Sequence, residues 1–131
     1  MRDGFALISI AAMSALLIAA APSAPSLEGD WKGSGTVSNN VAANHAECRV
    51  RYTRSGDRSF SYTATCTAKS GKYDLTGNVT NTSGSNYSGT VMDGGQESGT
   101  GHVFLVQHGK HLSIIATSQR GMARLTLVKL G

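Results

Sequence analysis

No apolar pattern at helical spacing runs for more than about two turns anywhere after Trp31, so the chain beyond that point reads as all-β. There is no heptad, no basic tail and no long internal repeat, which sets aside coiled coils, charged arms and solenoids. Charge is scarce: 12 Lys and Arg stand against 8 Asp and Glu among 131 residues, a net of +4. An excess that small serves solubility and weak attraction to anionic surfaces, and implies no nucleic-acid partner. The length allows one domain and leaves no room for two lobes with an active site between them.

Chemistry-bearing groupings are equally sparse. His108 and His111 flank Gly109-Lys110 and His102 opens the preceding apolar stretch, but a lasting zinc site needs three or four ligands and Lys110 would repel the cation. These histidines are read as solvated, and neither a metal nor a cofactor is expected. No Gly-x-Ser-x-Gly elbow occurs, and Gly99-Thr100-Gly101 is followed by no helix or lysine at the spacing a phosphate loop requires. Asp57, Asp93 and Asp74 belong to turns or wet faces, which argues against a catalytic carboxylate pair. The expectation is a protein that is not an enzyme.

What the chain does have begins at its N-terminus. Arg2 precedes an apolar run from Phe5 to Ala21, broken only by Ser9 and Ser14, and Pro22 and Ser23 follow. This is the pattern of a secretory signal peptide over residues 1–23, cut after Ser23, with a single domain over 24–131 and no membrane span in the mature chain. The location expected is periplasmic or secreted. Two cysteines, Cys48 and Cys66, lie in the mature part, and an exported protein is expected to join them in one disulfide.

Phe60, Tyr62, Ala64, Cys66 and Ala68 alternate strictly with Ser61, Thr63, Thr65 and Thr67, and Ala46, Cys48, Val50 and Tyr52 alternate with Glu47, Arg49, Arg51 and Thr53. Each segment is a strand with one buried and one wet face. Ser55-Gly56-Asp57 turns between them, and a hairpin centred on Asp57 pairs Cys48 with Cys66, Val50 with Ala64 and Tyr52 with Tyr62, all inward. Six further strands are expected at Trp31–Val37, Lys72–Thr80, Asn86–Met92, Ser98–Gln107, His111–Ser118 and Met122–Leu130. Asn39–Asn44 is the longest loop expected. Short links throughout favour a small antiparallel eight-stranded meander that removes its edges by closing into a barrel, with a two-sheet β-sandwich as the alternative.

Two features are candidates for binding. Arg49 and Arg51 fall on the outer face of the disulfide hairpin with Arg54 and Arg58 near its tip; together they would hold an anionic ligand or envelope polymer, or else only keep the strand soluble and unpaired. Trp31 opens the first strand and is expected to plug one end of the barrel rather than to stack on a ligand. The small residues Ala64, Gly77 and Gly89 either leave room for a cavity or mark where the sheet bends.

The run Gly29-Asp30-Trp31-Lys32-Gly33-Ser34-Gly35-Thr36-Val37, with Glu47-Cys48-Arg49-Val50-Arg51-Tyr52, Ala64-Thr65-Cys66, Ser70-Gly71 and Tyr87-Ser88-Gly89, resembles a group of small exported alphaproteobacterial proteins without assigned activity. A weaker likeness, carried by Gly29, Asp30, Trp31, Cys48 and Cys66, is to periplasmic inhibitors of bacterial metalloproteases. That likeness implies an eight-stranded barrel with one disulfide whose free N-terminal segment, here about Ala24 to Glu28, enters the protease cleft. The reading adopted is a non-enzymatic binding module for an unidentified anionic ligand or protein partner, with protease inhibition as the alternative.

Overall fold

The computed structural model describes residues 26–93 and 96–131, the side chains of 96–100 excepted, so the segment read as a signal peptide lies outside the described residues. Eight strands follow in chain order: β1 (Gly29–Ser38), β2 (Ala43–Arg54), β3 (Ser59–Ala68), β4 (Gly71–Ser83), β5 (Asn86–Asp93), β6 (Gln96–His108), β7 (His111–Ser118) and β8 (Gly121–Lys129). Each pairs antiparallel with the next, and β8 returns to pair with β1, Trp31 opposite Lys129 and Ser38 opposite Met122. The wall is therefore a closed barrel, and the sandwich is set aside. Closure satisfies the backbone groups that an open meander would leave exposed on its two edges.

Period-two alternation does most of the positioning. On β2 and β3 every second side chain is buried, and Cys48 faces Cys66, Val50 faces Ala64 and Tyr52 faces Tyr62, the register read from the turn. The disulfide joins that pair across a Cα–Cα distance of 4.1 Å. The outward side chains Arg49, Arg51, Thr63, Thr65 and Thr67 of this hairpin are exposed.

Glycine makes the tight coiling possible. A Cβ at Gly77 would lie 2.0 Å from the Thr90 carbonyl oxygen, and one at Gly33 would lie 1.9 Å from that of Thr126. Only a residue without a side chain lets the strands approach so closely, so Gly77 marks a bend in the wall and not space in the core.

One expectation needs correction. The loop read as Asn39–Asn44 is confined to residues 39–42, because the Asn39 side-chain oxygen accepts the Val41 and Ala42 amides at 2.8 and 2.9 Å and folds the chain back at once. Ala43 and Asn44 join β2 opposite Ser38 and Val37. Residues 55–58 form a turn of the same length.

Candidate functional site

The turns fall at two ends. The end with the β2–β3, β4–β5 and β6–β7 turns, called the base, is filled. Trp31, Leu27, Leu112 and Leu127 are completely buried there, and the Trp31 indole N–H donates to the Leu27 carbonyl at 2.9 Å. The plugging role read for Trp31 is the one it has. Gln107, the one buried polar side chain among the described residues, accepts from the Tyr87 hydroxyl at 3.2 Å and donates to the carbonyls of Gly109 and Ser26 at 3.2 and 3.4 Å. Phe60 meets Tyr87 edge-on at 6.0 Å, and the Arg54 guanidinium lies 4.8 Å above the Phe60 ring. The Trp31, Gln107 and Tyr87 side chains drawn into the base thus each have a hydrogen-bond partner, which offsets the cost of burying them.

The opposite end, the mouth, is hollow. A cavity of about 290 Å³ runs inward from the β1–β2 and β7–β8 turns to Tyr52 and Tyr62. Its wall is mostly apolar, with Val37, Leu75, Val91, Ile114, Ala116 and Leu125 among the side chains that form it. Polar groups gather at the rim, where the guanidinium of Arg120 reaches the carboxylate of Asp93 at 3.5 Å. Asp93 ends β5 and Arg120 lies in the β7–β8 turn, so this ion pair spans the rim past β6. Such a space, apolar within and polar at its edge, is the ordinary shape of a small-molecule site.

At the cavity floor the rings of Tyr52 and Tyr62 lie 5.5 Å apart. The Tyr62 hydroxyl crosses Gly77 and donates to the Thr90 carbonyl at 2.8 Å. Burial pushes the phenols of both residues far above their ordinary range, with the neighbouring Tyr62 adding to the effect at Tyr52. Both hydroxyls stay protonated and remain donors.

The four arginines read as a stripe lie outside this cavity, and three of them are engaged within the chain. Arg51 grips Asp30 with two hydrogen bonds of 2.7 and 3.2 Å; that bond holds the Asp30 carboxyl below its usual range and the guanidinium above its own. Arg54 wraps its own turn, donating to the Asp57 carbonyl at 2.8 Å, and Arg58 donates to the Asn81 side chain at 2.9 Å. Arg49 alone of the four has no hydrogen-bond partner among the described residues. His108 and His111 are register partners beside the base turn, and both are exposed; among the described residues no third metal-ligating side chain joins them. A cavity was one of two readings of the small residues Ala64, Gly77 and Gly89, and Ala64 does line it; Ala116 and Ala123, not singled out in the sequence, line its upper part.

No protein-family model matches the chain, and no curated protein does. Among solved structures it is similar to the redesigned β-barrel mFAP1 bound to DFHBI, with a TM-score of 0.65 and 13% identity over 79% of this chain and 94% of that one. The redesigned barrel mFAP0 bound to DFHBI gives 0.60 and 16% over 79% and 98%. A de novo fluorescence-activating β-barrel gives 0.60 and 10% over 79% and 94%. At these identities the likeness shows the fold alone, a closed eight-stranded antiparallel barrel with one disulfide in this chain.

Proposed function

We propose that this chain is a non-enzymatic binding module, acting in the periplasm or outside the cell, that holds a small and largely apolar ligand in its mouth. The observation that carries the reading is the cavity: an apolar space of about 290 Å³ left open at one end of a barrel whose other end is packed shut. Unfilled apolar volume lowers stability, since its lining lacks contact partners on one side, so a hollow of this size is a standing cost that ligand binding offsets. The redesigned barrel mFAP1, of the same fold, is bound to DFHBI, which supports a ligand-holding role for such a barrel.

The anionic-surface reading draws less support, because three of its four guanidinium groups already have partners within the chain. Inhibition through Ala24–Glu28 is disfavoured by Leu27, which is completely buried in the base rather than presented on a free arm. Titration with N-phenyl-1-naphthylamine, whose emission rises in apolar surroundings, tests the choice. The wild-type protein should enhance its emission, Ala116→Trp should abolish the enhancement by filling the cavity, and Arg49→Glu with Arg51→Glu should leave it unchanged. Enhancement that survives Ala116→Trp and is lost on charge reversal would move the site to the arginine face.

A further inference from the structure

Three of the four tyrosine hydroxyls have a partner. Tyr62 donates to the Thr90 carbonyl, Tyr87 donates to the Gln107 side chain, and Tyr73 shares a hydrogen bond with the Ser70 hydroxyl. The fourth, Tyr52, is the most buried of them at 3% exposure, and its hydroxyl has no partner among the described residues. It lines the cavity. Buried hydroxyls without a partner are rare, because each loses its hydrogen bond to water and regains nothing.

The surroundings define what would satisfy it. The charged side chains bordering the cavity are Asp93 and Arg120, and each is neutralised by the other at the rim. Deeper in, the wall offers aliphatic groups and the already committed hydroxyl of Tyr62, and the Tyr73 hydroxyl near the rim is committed to Ser70. A charged group brought to that depth would give up its hydration and meet no counter-ion. A neutral acceptor atom, by contrast, completes the Tyr52 hydroxyl and leaves nothing unpaired.

We propose that Tyr52 is the polar anchor of the cavity, its hydroxyl donating a hydrogen bond to a carbonyl-type acceptor at the inner end of a neutral, otherwise apolar ligand. This rests on the cavity being a ligand site and adds the chemical class of the ligand. The hydroxyl then serves binding at the expense of the empty barrel, a trade between stability and function that is common where sites are left incomplete.

The test compares two probes of nearly the same shape, 2-acetonaphthone and 2-isopropenylnaphthalene, which differ only in C=O against C=CH₂. By equilibrium dialysis, the ratio of ketone to hydrocarbon affinity should be roughly tenfold higher in wild type than in Tyr52→Phe, the worth of one hydrogen bond. In Tyr52→Phe the hydrocarbon should be the tighter ligand, because the buried carbonyl then has no partner, and the bound ketone's infrared carbonyl band, lowered in wild type, should return toward its value in hydrocarbon. The ligand-free Tyr52→Phe protein should melt roughly 4 °C higher than wild type, because an unsatisfied group is gone. A hydroxyl with a structural role would lower the melting temperature instead. A ketone-to-hydrocarbon ratio that is unchanged in Tyr52→Phe would overturn the anchor and leave the cavity reading standing. Failure of wild type to bind either probe would overturn both.

Discussion

Two inward rows of the same four strands make opposite ends. Near the base, Gln107, Leu112, Leu127 and Gly33 lie side by side across β6, β7, β8 and β1, with Trp31 two residues before Gly33 on β1. Near the mouth the corresponding row is Val103, Ala116, Ala123 and Val37. The backbone is the same tube in both places. Two leucines, a glutamine and a tryptophan fill its cross-section, whereas two alanines and two valines do not. Barrel size is set by strand number and tilt, so side-chain volume alone decides which end is solid and which is hollow. The base is packed for stability, and the mouth is the end where we propose that a ligand sits.

The largest test of that contrast is truncation. Trp31→Ala should cost about 3–5 kcal/mol by urea unfolding, because the plug cannot be replaced by collapse of a closed wall. Leu75→Ala, in the half-buried wall of the cavity, should cost less than about 2 kcal/mol, since that side chain already borders open space. Equal losses would mean that the two ends are packed alike.

Removing the disulfide should come next, and Cys66 lies on the cavity side of the barrel. The bond closes a sequence separation of 18 residues, and replacing both cysteines with alanine should lower stability by about 3 kcal/mol through a less constrained unfolded chain. Mass spectrometry of alkylated, unreduced protein exported from cells checks the premise: two labelled thiols would contradict it.

A smaller effect concerns pH. Tyr52 and Tyr62 are held above their ordinary value of 10.0 in the folded barrel. Their contribution is therefore complete below about pH 10 and is lost as pH rises, because the unfolded chain then releases protons that the folded one retains. Phenolate absorbance from these two residues should appear together with loss of the β circular dichroism signal. Ionisation near pH 10 with the fold intact would show that the cavity floor is wet.

How much of this was legible follows from what alternation encodes. Period two names the inward face, and the Ser55-Gly56-Asp57 turn sets the register, so the pairing of Cys48 with Cys66 and of Tyr52 with Tyr62 could be read directly. Strand ends were less visible: Asn81, Thr82 and Ser83 extend β4 through backbone hydrogen bonds to which their polar side chains give no sign. The cavity lay beyond such reading because alternation says that Val50, Ala64 and Ala116 point inward, not whether the residues opposite reach them. Gly77 looked equally like space or a bend, and the Thr90 carbonyl decides it. The arginines were placed correctly on the outside, but their partners, Asp30 on β1 and Asn81 on β4, come from neighbouring strands whose register the hairpin alone does not supply.

Amide chemical shifts recorded while 2-acetonaphthone is titrated into the full folded domain test the central claim most directly. A ligand held in the hollow end should move the resonances of Val37, Leu75, Ala116 and Ala123 and leave those of Leu112, Leu127 and the Trp31 indole in place. Shifts centred on the Trp31 plug, or on Arg49 and Arg51 of the outer wall, would contradict a barrel that is solid at one end and receptive at the other.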